Sequence, residues 1–221
     1  MFTAFKRKRV ADAFERWRRI KLGRNDRGVL IGATGCGKTT LARFLIEDVN
    51  KPYSVVYDPK ISESIGKWPH TFYYDFGQLQ EAEERRLIYR PPVEEEQDAY
   101  AQNRFFQWVY WREHTRLYVD EAYALLGGSN PSFYLQACLS RGRERGISTL
   151  IATQRPSRIP LITLSEAEHF YIFRLNLPQD QRRIEEITGI TVEEQLSLEQ
   201  FQFFYWNAIT GRHPVKLKLS I

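Results

Sequence analysis

The chain is poor in cysteine and has no long apolar run. Its two cysteines, Cys36 and Cys138, stand far apart in 221 residues. A structural disulfide is therefore not expected, and a reducing compartment is the simpler setting. No uninterrupted apolar stretch approaches the roughly 20 residues that a membrane-spanning helix needs. The N-terminus is basic but no apolar core follows it, so a secretory signal peptide is not expected. Internal repeats and low-complexity tracts are absent. Acids are in deficit: 27 Asp and Glu face 32 Lys and Arg, a net charge of +5. That excess permits an anionic partner without demanding one. The length fits a single α/β domain with a substantial core.

What is present centres on Gly28 to Thr40. An apolar run, Val29 to Ile31, reads as a short buried strand. Gly32, Gly37, Lys38 and Thr39 then form Gly-x-x-x-x-Gly-Lys-Thr, and Leu41, Ala42, Phe44, Leu45 and Ile46 read as a partly buried helix. Strand, glycine loop and helix are the context that makes this pattern a phosphate-binding P-loop. Glycines let the backbone curl so that several N–H groups point at one phosphate, and the helix N-terminus adds its positive dipole end. Gly32, Ala33, Thr34, Gly35, Cys36, Gly37, Lys38, Thr39 and Thr40 are thus the expected ATP-binding residues. Lys38 is expected at the β- and γ-phosphates, and the Thr39 hydroxyl on Mg²⁺.

A second motif is Arg116-Leu117-Tyr118-Val119-Asp120-Glu121, a short apolar strand ending in two carboxylates. Downstream of a P-loop this reads as a Walker B segment. Asp120 is expected in the Mg²⁺ shell, and Glu121 as the group that polarises the attacking water. Ile147 to Thr153 reads as a further buried strand, closed by Gln154-Arg155-Pro156-Ser157. An amide at that strand tip is suited to sensing a γ-phosphate; the plain alternative is a turn residue.

Residues 1–24 form a separate basic unit, expected as an amphipathic helix with Val10, Phe14 and Trp17 on one face, ahead of an ATPase domain over 25–221. Packing on the domain or a neighbouring subunit, nucleic-acid contact and membrane-surface docking are all open to it. Further strands are expected over 54–60, 71–76, 86–90 and 169–174, with a terminal hairpin from 203–206 and 215–219. Helices are expected over 78–86, from the Glu94-Glu95-Glu96 cluster to His114, from Ser132 to Glu144, and over 179–187. The aromatics of the 94–114 segment read as core or subunit contact in preference to base-stacking platforms.

Taken together, Gly-Ala-Thr-Gly-Cys-Gly-Lys-Thr (32–39), Val-Val-Tyr-Asp-Pro-Lys (55–60), Leu-Tyr-Val-Asp-Glu-Ala (117–122), Gly-Arg-x-x-Gly-Ile-Ser (142–148) and Ala-Thr-Gln-Arg-Pro-Ser (152–157) resemble the FtsK/HerA superfamily of P-loop ATPases. The resemblance spans roughly residues 25–190. It implies an α/β P-loop NTPase fold of the ASCE type, with a mostly parallel sheet flanked by helices. It implies ATP and Mg²⁺ as cofactors, double-stranded DNA as a partner bound without sequence preference, and a homo-oligomeric ring, usually a hexamer. It makes Lys38 and Thr39 the phosphate and Mg²⁺ ligands, Asp120 the Mg²⁺ support, Glu121 the base and Gln154 the sensor. Arg143, at the Gly-Arg position, becomes the first candidate for an arginine finger reaching a neighbour's γ-phosphate, with Arg141, Arg145 and Arg155 behind it.

The size of a bare ATPase core is similar to the genome-packaging ATPases of tailless, internal-membrane viruses. The expected function is therefore a Mg²⁺-dependent ATPase that drives double-stranded DNA translocation in genome packaging. The alternative is a cellular or plasmid-borne translocase for DNA transfer or repair. The packaging reading implies a cytoplasmic or virion-associated location, and docking of the N-terminal unit on a capsid vertex or membrane protein. A small-substrate P-loop kinase fits less well, because Glu121 would waste ATP on water. A nucleotide-binding assembly factor without turnover does not explain the intact Lys38, Asp120, Glu121 and Gln154 set.

Overall fold

The computed structural model describes residues 20–47, 53–96, 98–122 and 132–219. Among the described residues, nine strands form one sheet in the order β3-β4-β2-β5-β6-β1-β7-β8-β9. They are β1 (Arg27–Ile31), β2 (Tyr53–Tyr57), β3 (Thr71–Tyr73), β4 (Arg86–Tyr89), β5 (Thr115–Val119), β6 (Ser148–Thr153), β7 (His169–Phe173), β8 (Gln202–Asn207) and β9 (Val215–Lys218). The first seven in that order run parallel; β8 and β9 close the sheet as the antiparallel hairpin expected at the C-terminal end. The sheet is thus the mostly parallel, helix-flanked P-loop arrangement that the resemblance implied. The Walker B strand β5 is separated from the P-loop strand β1 by β6, which is the inserted strand of the ASCE type.

Strands β1, β5, β6 and β7 are buried along their whole length, as both faces of a parallel sheet require. Alternate residues feed two cores. Val29, Ile31, Val55, Tyr57, Leu117 and Ile151 face the layer of α2 (Phe76–Gln80), α3 (Ala99–Arg112), α4 (Phe133–Arg141), α5 (Leu161–Ser165) and α6 (Pro178–Thr188). Leu30, Val56, Tyr118, Leu150 and Tyr171 face α1 (Lys38–Ile46) together with Ile20, Leu22 and Trp68. A short helix α7 (Val192–Leu196) with a Thr191/Glu194 capping box leads into β8.

Three expectations need correction. The Glu94–Glu96 cluster does not open the long helix. It lies in and just after a 3₁₀ turn, Val93–Glu95, and α3 begins at Ala99 under an Asp98 cap that accepts from the Tyr100 N–H. Pro91 and Pro92 bring the chain out of β4 extended, so the first hydrogen-bonded turn forms apart from the helix proper. The charged segment expected as a helix over 78–86 holds only the end of α2, which stops at Gln80. The helix expected to Glu144 ends at Arg141, where Gly142 starts a 3₁₀ turn that closes on Gly146 in the left-handed region.

The proposed N-terminal helix lies mostly outside the described residues. Residues 20–24 are turn and coil, and they are built into the domain. Ile20 and Leu22 are buried, and the Tyr171 hydroxyl donates to the Ile20 carbonyl. Arg116, buried under β5, donates to the carbonyls of Leu22 and Gly23 from one nitrogen and to Leu45 from another. Those carbonyls meet the hydrogen-bonding demand that burying a guanidinium creates.

Candidate nucleotide site

Four adjacent strands deliver the site to one edge of the sheet. β2 ends in Asp58, β5 in Asp120 and Glu121, β6 in Gln154, and β1 in the loop that begins at Gly32. This is the carboxyl edge, where open α/β sheets bind ligands. The loop is fixed at its start by Gly32 N–H donating to the Thr153 carbonyl and Ala33 N–H to that of Arg174. Gly32 leaves no room for a side chain: a Cβ there would lie 2.5 Å from Cβ of Phe173. Gly37 turns the chain into α1 at φ 112°, a conformation that L side chains rarely adopt.

Lys38 is buried, and its ammonium donates to the Gly32 carbonyl at 2.8 Å and the Ala33 carbonyl at 2.9 Å. It therefore stays at the mouth of the loop, on the side where phosphate oxygens would be received. Cys36, inside the loop, has its thiol pKa raised mainly by burial, so it stays a thiol and is not a reactive thiolate.

The expected Mg²⁺ ligands meet through a residue that was not singled out from the sequence. The Tyr118 hydroxyl donates to Asp120 Oδ1 at 2.6 Å and is also hydrogen-bonded to the Thr39 side chain. Burial pushes the Asp120 carboxyl pKa up, and Asp58 and Glu121 push the same way; the Tyr118 hydrogen bond and the Lys38 charge oppose them. A hydroxyl and a buried carboxylate are hard oxygen donors, and a divalent cation would relieve the repulsion that Asp58 and Glu121 exert on Asp120. The donor set therefore fits Mg²⁺.

The expected base and sensor are in direct contact. Gln154 Nε2 donates to Glu121 Oε2 at 2.6 Å, while Gln154 Oε1 accepts from the Thr34 hydroxyl at 2.8 Å. One amide thus joins the nucleotide loop to the carboxylate. Glu121 holds φ at 53°, in the left-handed region, and is buried. Strained backbone at a buried carboxylate is a feature that clusters at working sites.

Not every candidate converges here. Arg143 precedes β6 and stands at the opposite, amino edge of the sheet, ion-paired with Glu168. Arg145 pairs with Glu113 at 2.8 Å and covers the Tyr110 and Trp111 rings. Arg155 is bound to the buried Asp180 at 3.1 Å, and Ser157 donates to the same carboxylate. Arg141 is exposed at the last turn of α4. The aromatics of α3 divide: Phe105 and Phe106 are core, whereas Tyr100 and Trp111 are exposed.

Besides Tyr118, two further contributors were missed. Lys60 reaches Glu121 Oε2 at 3.4 Å, and Arg90 binds Asp58 at 2.8 Å. Lys60 stood in the 55–60 motif without a role, and an aspartate buried at a strand end requires a cation, which was the available signal for Arg90.

No protein-family model matches the chain. In sequence it is similar to the DNA packaging ATPase P9 of Enterobacteria phage PRD1: 25% identity over 199 residues, 83% of each chain. In structure it is similar to the genome packaging NTPase B204 of Sulfolobus turreted icosahedral virus 2, in its complex with ATP-γS. The TM-score is 0.76 at 16% identity, over 90% of this chain and all of that one. It is similar also to the pCW3 conjugation coupling protein TcpA, with a TM-score of 0.55 at 13% identity, over 88% of this chain and 60% of that one. The chain is thus similar in sequence to a DNA packaging ATPase and in fold to a genome packaging NTPase and a conjugation coupling protein.

Proposed function

We propose that the chain is the ATP-hydrolysing subunit of a viral DNA-packaging motor. The single observation that carries this is the Thr34–Gln154–Glu121 connection beside Lys38: a P-loop wired to a buried carboxylate by a sensor amide. The similarity to P9, named a DNA packaging ATPase, supports the packaging assignment.

In this reading the loop N–H groups and Lys38 hold the β- and γ-phosphates. Thr39 and Asp120 hold Mg²⁺, which when bound neutralises charge on the phosphate oxygens. Gln154 and Glu121 orient a water. Its oxygen bonds to the γ-phosphorus, its proton passes to Glu121, the bond from the γ-phosphorus to the β–γ bridging oxygen breaks, and ADP leaves. Copies assemble as a ring, a hexamer, around double-stranded DNA, and Arg143 of one copy serves its neighbour's site. Residues 1–24 dock the ring on a capsid vertex or membrane protein. The motor works in the cytoplasm of an infected cell or on the virion.

The test is steady-state ATP hydrolysis with Mg²⁺, alone and with two unrelated DNA duplexes over a range of salt. Stimulation by both duplexes that declines steeply with salt is expected, because phosphate contacts release counterions. Turnover without any response to DNA would contradict the motor reading. Preference for one sequence would contradict packaging.

A further inference from the structure

The loop after β2 has no role in the reading above, yet several contacts fasten it. Asp58, fully buried, accepts from the Ser62 N–H with both carboxylate oxygens, at 3.0 and 3.1 Å. Arg90 donates Nε to Asp58 at 2.8 Å and Nη2 to the Ser62 carbonyl at 2.9 Å. The two ends of a five-residue turn are thereby fastened to Arg90, the residue after β4. Between them, Ile61 is exposed and held at φ 50°. A β-branched residue in the left-handed region is an outlier that persists only where surrounding contacts impose it.

The consequence of that forced turn is the position of Lys60. Its ammonium lies 3.4 Å from Glu121 Oε2, the same oxygen to which Gln154 donates. Lys60 is half exposed, whereas the Glu121 side chain is only 8% exposed. A flexible lysine gains little stability from such a contact, so stability alone does not account for the built turn. One hydrogen bond from Gln154 and one ammonium charge from Lys60, from the strands on either side, act on the same carboxylate oxygen and restrict how the carboxylate can turn.

We infer that Lys60 is a positioning residue for hydrolysis: the Asp58–Arg90 turn presents it to Glu121, and with Gln154 it aims the carboxylate at the attacking water. This rests on the ATPase reading. Glu121 keeps the Gln154 bond when Lys60 is lost, so the effect is on aim and not on the presence of the base.

The experiment compares wild type, Lys60→Ala and Lys60→Arg, with Ile61→Gly as a control for the turn. Lys60→Ala should lower kcat about tenfold, since small misplacement of a catalytic group is costly in rate. KM for ATP, the affinity for ATP-γS and the melting temperature should stay within error of wild type. Lys60→Arg should recover most of kcat, because it keeps the charge and reach. Ile61→Gly relieves the strained backbone, leaves Lys60 in place, and should retain kcat.

A second readout needs no turnover. Zero-length carbodiimide coupling followed by mass spectrometry should join Lys60 to Glu121 in wild type. The exposed Lys67–Glu63 pair, at 3.0 Å, is the internal control. Wild-type kcat in Lys60→Ala, a raised KM with unchanged kcat, failure of Lys60→Arg to recover, or coupling of the control pair alone would each overturn the inference. Absence of hydrolysis by wild type would instead overturn the ATPase reading on which it rests.

Discussion

Gln154 and Glu121, 33 residues apart in sequence, share a hydrogen bond of 2.6 Å at the ends of adjacent strands. The amide has two distinct ends, and both are used: it donates to the carboxylate and accepts from Thr34. A phosphate that takes the Thr34 hydroxyl is therefore felt at Glu121 through one side chain. Gln154→Ala breaks both links. It should lower kcat by about 10²-fold, the scale for removing one preorganised donor, and leave ATP-γS affinity near wild type. Single-turnover hydrolysis beside equilibrium binding separates the two. Unchanged hydrolysis would reduce Gln154 to a turn residue.

Among the described residues, Ile20 and Leu22 are the first to enter the core. Deleting residues 1–18 should leave the melting transition intact. Deleting 1–22 removes two core side chains, each costing about 2–5 kcal/mol when truncated, and strips a carbonyl partner from Arg116. The melting temperature should drop by more than about 5 °C. Equal melting of both truncations would show that Ile20 and Leu22 contribute nothing to the core.

His70 makes stability sensitive to mild acid. It is buried beside Trp68, its Nε2 is 3.2 Å from the Ser54 hydroxyl, and burial lowers its pKa to about 4. The unfolded chain takes up a proton near the ordinary value of about 6.5, whereas the folded chain does not until near 4. Between those values the unfolded state binds more protons, so stability falls as pH falls. His70→Gln keeps a hydrogen-bonding group without titrating. It should lose less stability than wild type between pH 7 and pH 5, by on the order of 1–2 kcal/mol. Parallel denaturant titrations at the two pH values measure this, and equal losses would contradict it.

An arginine finger acting across subunits need not lie near its own loop, and Arg143 does not. To reach a neighbour it must leave Glu168, to which it is paired at the amino edge of the sheet. Arg143→Ala and Lys38→Ala should each be inactive alone. Mixed, they should regain part of the ATPase activity if the proposed ring forms, because hybrids would then contain interfaces with an intact loop on one side and an intact finger on the other. No recovery in mixtures that co-assemble would transfer the role to the exposed Arg141.

The site was legible in the sequence where its chemistry is local. The loop from Gly32 to Thr40 and the Asp120–Glu121 pair are contiguous, and each follows an apolar run that reads as a buried strand. Gln154 was legible as a strand tip, but its partners were not, because strand order decides which tips adjoin. The same holds for Tyr118, which reads as a core residue until its hydroxyl is seen between Thr39 and Asp120, and for Lys60, whose placement depends on an Asp58–Arg90 contact between β2 and β4. The misread elements were charged segments. There the Glu94–Glu96 cluster matched a helix start, while the backbone leaving Pro91–Pro92 allowed only a 3₁₀ turn.

The most direct test of the account is the turnover of Glu121→Gln. This variant keeps size and hydrogen bonding but cannot accept the water's proton. The account predicts wild-type affinity for ATP-γS, DNA-stimulated hydrolysis in wild type, and hydrolysis reduced by about 10²–10⁴-fold in Glu121→Gln. Near wild-type turnover in Glu121→Gln would contradict the assignment of Glu121 as the base, and with it the site as described.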